Sequence, residues 1–307
     1  MKIGLNQGCI VLSSDLETDL LLAESAGFDY LELRTDRIRS YLQKHTLEDL
    51  RTFFDSHHLK PHAIGGTYVY REFLSSMDNP EQQEALLKDI RFAFEAGRAV
   101  GSDCIIVVPP MNPEVQGEIP YGYSFDDTLN LFPPMLQKLS DLAAEYGMKV
   151  GIELVGSVRC SVRTVAQGLQ ILQATGRSNI GLTLDAFNLY LYEKKSDFDA
   201  IASIPGDQIF IVHINDAPDV PPETLKQAHR TYCDAGVIDL DSFLLNLKKT
   251  GYDGMVSIEF FEQPGNTIPP DQVVEACYRT KRYAWMHHPL RYGTQWRCVI
   301  PKHQKER

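Results

Sequence analysis

Apolar residues along this chain alternate between two patterns. Short runs rich in Val, Ile and Leu recur near residues 2–6, 29–34, 60–65, 104–109, 149–155, 180–186, 209–215 and 255–261. Runs this short, apolar on both faces, predict strands of a buried parallel sheet. Stretches with helical spacing lie between them, over 15–26, 46–58, 80–100, 126–146, 162–175, 196–203, 239–249 and 271–286. Eight strand–helix units in succession predict an α/β fold, a (β/α)8 TIM barrel, as a single domain over residues 1–286. Gly27, Gly101, Gly147 and Gly251 each stand between a helix and the next strand, which predicts left-handed helix caps. Thr46, three residues before Asp49, predicts a helix N-cap. Three connections, 66–79, 110–125 and 215–238, are longer than the rest. All follow strands on the side where barrel enzymes keep their chemistry, and their length suggests a covered, water-poor site. Beyond His287 the pattern fades, and residues 287–307 read as a basic C-terminal extension carrying Arg291, Arg297, Lys302, Lys305 and Arg307 against Glu306.

Four residues break the apolar runs near their C-terminal ends: Glu153 in KVGIELV, Asp185 in IGLTLDAF, His213 in IFIVHIND and Glu259 in MVSIEFF. They are 32, 28 and 46 residues apart, so about one strand–helix unit separates each from the next. In a barrel, successive strand ends converge on one face. An unpaired charge inside an apolar strand is costly, so each acid is either half of a buried salt bridge or part of a site. Four such residues at matching strand ends favour a site. Carboxylates with one imidazole suit one divalent ion, Mn²⁺, Zn²⁺, Co²⁺ or Mg²⁺. Such an ion acts as a Lewis acid toward a hydroxy-ketone losing its α-proton, and Glu153 and Glu259 could flank that carbon as the acid–base pair. Further polar residues sit close by in sequence: Asn6 at the end of strand 1, Glu32 at the end of strand 2, Asn188 three residues after Asp185 on the loop side, Asp216 three after His213, and Arg230 in the long loop after strand 7. Each is a candidate substrate contact, Arg230 through its planar fork. His62 is as easily a packing residue as a functional one, and His45, His57 and His58 read as surface residues.

Charge and cysteine usage narrow the classes. A net charge of −11 and a pI near 5.3 argue against a nucleic-acid partner, which needs a basic face. No run approaches the roughly 20 apolar residues of a membrane span. The first apolar stretch is too short for a signal peptide. The six cysteines form no CxxC pair, which argues against a thiolate zinc site. The expectation is a reduced, cytoplasmic protein with a small-molecule substrate, and the sequence leaves room for a homo-oligomer.

The segment FDYLELRTDRIRSYLQKHTLEDLRTFFDSHHLKP, followed by VGIELVG, NIGLTLDAFNLY, IFIVHINDAPD and GVIDLDSFL, resembles the xylose isomerase-like barrel superfamily, and within it the inosose isomerases, over roughly residues 1–285. The resemblance implies that Glu153, Asp185, His213 and Glu259 hold the metal, that the two glutamates move protons, and that Arg230 binds substrate. It implies isomerisation of a keto-sugar or inosose through an enediolate, for example 2-keto-myo-inositol to 1-keto-chiro-inositol. Ketose 3-epimerases and inosose or dehydroshikimate-type dehydratases share the barrel and are the alternatives. Apurinic endonucleases share it too, but they need more histidines and a basic surface. Two positions depart from the pattern. The superfamily usually has His where Asn188 stands, and Pro-Gly-x-Gly where this chain has Cys233-Asp234-Ala235-Gly236.

Overall fold

A computed structural model describes residues 1–13, 15–70, 80–112, 117, 119–233, 235–261 and 268–279. Eight parallel strands close into a barrel in chain order: β1 Lys2–Asn6, β2 Tyr30–Arg34, β3 Lys60–Tyr70, β4 Cys104–Met111, β5 Lys149–Glu153, β6 Ile180–Asp185, β7 Ile209–Ile214 and β8 Met255–Ile258. The ring is sealed where β8 pairs with β1, with Lys2 opposite Met255 and Leu5 opposite Ile258. Around it run α1 Leu16–Ala26, α2 Thr35–Tyr41, α3 Leu47–Ser56, α4 Pro80–Val100, α5 Phe125–Glu145, α6 Val165–Thr175, α7 Ala186–Glu193, α8 Leu240–Lys249 and α9 Pro270–Arg279. This is the predicted TIM barrel.

The predicted punctuation is present. Gly27, Gly101, Gly147 and Gly251 all have positive φ, and Thr46 with Asp49 forms a complete capping box. The core lies mainly between strands and helices, where Phe28, Phe54, Phe94, Phe132, Phe187, Phe198 and Phe243 are fully buried. Inside the barrel, small side chains leave room for polar ones: a Cβ on Gly151 would stand 2.6 Å from Thr183 Oγ1.

Several expectations are corrected. The connection expected over 66–79 begins as strand, since β3 runs to Tyr70; Arg71 and the rest of it lie outside the described residues. The helix expected over 196–203 is a short 3-10 segment, Asp199–Ser203. Two helices were not expected, α2 and α7, each starting directly at a strand end. Asn188 therefore sits in the first turn of a helix and not on a loop. The basic extension, residues 287–307, lies outside the described residues, as does Cys298. The other five cysteines are buried free thiols. Among the described residues no helix is long and apolar enough to cross a membrane.

One buried acid lies apart from the strand-end cluster. Asp19 of α1 accepts hydrogen bonds from Gln7 Nε2 at 2.6 Å and from Ser13 Oγ. Burial pushes its carboxyl up to about 6, against the pull of Ser13, Arg37 and Gln7. Between about pH 4 and 6 the folded protein then keeps a proton that the unfolded chain has lost, so stability falls as pH rises through that window. The shift corresponds to about 3 kcal/mol. Asp19→Asn keeps an acceptor for Gln7, so thermal denaturation should find it more stable than the wild type at pH 7. The two curves should converge below about pH 4. Equal midpoints at every pH would show that Asp19 carries no such penalty.

Candidate active site

Strand ends supply the site. Glu153 is the last residue of β5 and Asp185 the last of β6, while His213 lies one residue before the end of β7. Glu259 follows β8 directly and stays tied to the sheet by its N–H, which donates to Ile214 O at 3.2 Å. The parallel register sets Asp185 opposite His213. One ligand atom from each of Glu153, Asp185, His213 and Glu259 lies within 4.8 Å of all the others, and all four residues are buried. The barrel thus brings together the four residues that its sequence singles out.

His213 decides which way the cluster faces. Its Nε2 lies 3.1 Å from Glu32 Oε2, in hydrogen-bonding geometry. Its Nδ1 points among the other acids, 3.1 Å from Glu259 Oε2 and 3.8 Å from Asp185 Oδ2, yet makes no hydrogen bond of acceptable angle. With the proton on Nε2, the Nδ1 lone pair faces the carboxylates, the orientation a metal-binding imidazole takes when an outer carboxylate holds its other nitrogen.

The electrostatics report crowded negative charge. Burial and then the neighbouring Glu259 raise the Glu153 carboxyl to about 8. Burial also raises Asp185, only partly offset by Arg230. For Glu259 burial is outweighed by His213 and Arg230, which hold it down at about 2. Burial would discharge His213, but Glu259 and Glu32 outweigh it and raise the imidazole well above its ordinary value. Protons and Arg230 thus relieve the charge of these acids, and a divalent cation among them would do so directly. The orphaned Nδ1, the buried carboxylate set and the spacing of the donor atoms fit such an ion.

The remaining candidates separate into two groups. Arg230 and Asn188 line a cavity of about 430 Å³, together with Glu153, Arg34, Arg159 and Phe261. Arg230 donates to Glu259 Oε2 at 2.6 Å and lies over the rings of Phe187 and Phe261, 5.5 and 4.7 Å from their centroids. Asn188 donates from Nδ2 to Glu153 Oε1 at 2.9 Å, and its backbone N–H is capped by Asp185 Oδ1 at 2.7 Å. Asn6 and Glu32 do not line that cavity. Asn6 Nδ2 bridges Glu32 Oε2 at 2.7 Å and Glu259 Oε1 at 3.0 Å. They face His213 and Glu259 from the β1–β2 side.

Asp216 is occupied with backbone. Its carboxylate accepts from the N–H groups of Ala217, Gly236 and Ile238 at 2.8, 3.0 and 2.9 Å, folding the long loop back on itself. Gly236 is required there, because a Cβ would stand 2.0 Å from Ala217 O. His62 stays in β3, its ring edge-on to Tyr30, and His45, His57 and His58 lie away from the site with partners of their own.

Two residues that hydrogen-bond the predicted site residues escape sequence reasoning, as do Arg159 and Phe261 of the cavity wall. Asn215 donates to Asp185 Oδ2 and to the carbonyl of Glu259, both at 2.8 Å, and accepts from Phe187 N at 2.8 Å. It locks the strand ends of β6 and β8 together. Its signal was present in IFIVHIND, where a second polar residue follows the histidine. Gln227 touches both Asn188 and Arg230 from a loop with no pattern to mark it.

Known proteins share this architecture. The family model for the xylose isomerase-like TIM barrel matches residues 20–282. An inosose isomerase of Bacillus velezensis is 31% identical over 283 residues, 91% of this chain and 95% of that protein. An L-ribulose 3-epimerase of a Methylomonas species is 29% identical over 248 residues, 78% of this chain and 76% of that protein. Among solved structures, one of IOLI protein with a binding zinc atom superposes with a TM-score of 0.80 at 28% identity, covering 92% of this chain and 97% of that one. By matched length and by barrel alike, the chain belongs to the xylose isomerase-like TIM barrel family.

Proposed function

We propose that this enzyme isomerises a small keto-sugar or inosose, with Glu153 and Glu259 as its proton-transfer pair and Glu153, Asp185, His213 and Glu259 as the holders of one divalent ion. The observation that carries the reading is the buried cluster itself, three carboxylates and an imidazole beside a cavity walled by Arg230 and Asn188. A divalent ion there supplies positive charge against the negative charge that develops on substrate oxygens as an α-proton leaves. Glu153 and Glu259 come from β5 and β8, so they can flank a reacting carbon pair, one taking a proton and the other returning one. Arg230 is held by Glu259 at one nitrogen and by Gln227 at another, which aims its fork for a substrate oxygen. Asn188 offers a hydrogen bond but no titrating proton, so proton movement stays with the glutamates.

The inosose isomerase relative favours an inosose, with the carbonyl moved to an adjacent carbon as from 2-keto-myo-inositol to 1-keto-chiro-inositol. The L-ribulose 3-epimerase relative supports a second reading, in which the same pair returns the proton to the same carbon from the other face. The test is a panel of inososes and ketohexoses in heavy water, with metal-stripped, Mn²⁺-loaded and Zn²⁺-loaded protein, read by NMR. Isomerisation should give a displaced carbonyl with one deuterium on the newly protonated carbon. An epimer labelled at the inverted carbon would favour the second reading, and a product lighter by one water would indicate a dehydratase. No turnover of any member would overturn the proposal.

A further inference from the structure

Gln227, half-buried in the 3-10 segment Gln227–His229, stands between Asn188 and Arg230. Its Nε2 donates to Asn188 Oδ1 at 2.6 Å, and its Oε1 accepts from an Arg230 nitrogen at 2.9 Å. Arg230 donates onward to Glu259 Oε2 at 2.6 Å, and Asn188 Nδ2 donates to Glu153 Oε1 at 2.9 Å. These bonds form a continuous arc from one glutamate of the proposed pair to the other.

Two members of the arc are primary amides, whose oxygen and nitrogen ends have nearly the same shape, so shape alone does not orient them. Arg230 removes the ambiguity, because a guanidinium has only donors. Gln227 must turn its oxygen to Arg230 and its NH₂ to Asn188. Asn188 must then turn its oxygen to Gln227, an orientation that Gly156 N supports at 3.2 Å. Only its NH₂ remains for Glu153.

We propose that Gln227 is a positioning residue, transmitting the donor-only character of Arg230 through Asn188 so that Glu153 Oε1 always meets an N–H. Glu153 is thereby held at one oxygen and fixed in its plane, while the other oxygen stays free of this contact. Every member between the two glutamates is a side chain that neither gains nor loses a proton near neutral pH, so the arc orients the pair without short-circuiting it. The kinetic consequence rests on the function proposed above; the orientation of Glu153 does not.

Two readouts test this. In Co²⁺-loaded protein the visible bands report how the ligating carboxylates sit, with no substrate needed. Gln227→Met keeps the length and removes both hydrogen bonds. It should shift those bands while leaving the Co²⁺ dissociation constant within about threefold, since Gln227 hydrogen-bonds Asn188 and Arg230 and none of the four clustered residues directly. With a turned-over ketose or inosose, it should lower kcat by roughly 10- to 100-fold and change KM far less. Gln227→Glu should be worse, since it sets an acceptor against Asn188 Oδ1. In a double-mutant cycle, Gln227→Met should cost little in an Asn188→Ala background, because its effect passes through Asn188. Unchanged Co²⁺ bands, or a loss of kcat equally large with and without Asn188, would overturn the proposal. A wild type that turns over no ketose or inosose would instead overturn the function, and the Co²⁺ bands would still decide the role of Gln227.

Discussion

Glu153→Gln and Glu259→Gln should each lower turnover about a thousandfold, in the range that a positioned acid or base contributes. Both side chains are buried, and glutamine is nearly isosteric, so the change would remove the proposed proton transfer while the strand ends keep their shape. The two variants should differ in other respects. Glu259 is the ion-pair partner of Arg230 and lies against His213, so its loss leaves a buried guanidinium with fewer partners and should also lower the midpoint of thermal unfolding. Glu153 accepts from Asn188, a neutral partner, and its replacement should leave that midpoint nearer the wild type. The double variant should be little slower than the worse single one, since in the proposed reaction both serve one proton relay and the second loss removes a step already blocked. Assays at saturating metal, with solvent deuterium uptake followed alongside turnover, separate lost chemistry from lost ion. Turnover within threefold of the wild type in both single variants would take the glutamates out of the reaction.

Stripping the ion should abolish activity and destabilise the barrel together. An ion present at a thousand times its dissociation constant adds about 4 kcal/mol to the folded state. In a chain of this length that amounts to roughly 5–10 °C in midpoint. Scanning calorimetry of chelated and reloaded protein should show this difference in the wild type. It should be absent in His213→Ala, where the imidazole donor and its contact with Glu32 are both lost. A wild-type midpoint that ignores chelation and reloading would mean that the four side chains hold no ion.

All eight strands were legible in the chain, because a strand buried on both faces writes its apolar run into consecutive residues. The four clustered residues were legible for the same reason, as charges interrupting those runs. The helix α7 was not, because Asp185 is both the last residue of a strand and the N-cap of the helix that follows. The apolar run IGLTLDAFNLYLY passes through that change of conformation without a turn residue, and most of the helix is buried, so no polar face betrays its period. α2 begins at Thr35, and Arg34 at its N-cap makes no side-chain cap to announce it. The partnerships around the cluster were hidden by distance: Asn6 reaches Glu259 across 253 positions of sequence. Asn6 and Glu32 could be picked out as polar strand ends, but that they face His213 and Glu259 emerges only once the ring is closed. Gln227 and the loop-binding role of Asp216 depend on a connection whose path no periodicity describes.

The seam between β8 and β1 has a consequence for the life of the chain. Three of the four clustered donors are in place by residue 213, but the fourth arrives only with Glu259, immediately after the strand that pairs with the N-terminal one. A nascent polypeptide still short of that point, or one clipped ahead of it, has fragments of a coordination sphere and nothing to close it. Capture of an ion by all four donors would therefore require that the chain has been made through Glu259 and that β8 has met β1. Because joining strands so distant in sequence is slow to occur by chance, an ion that binds only the joined form acts as a latch on the last event of folding.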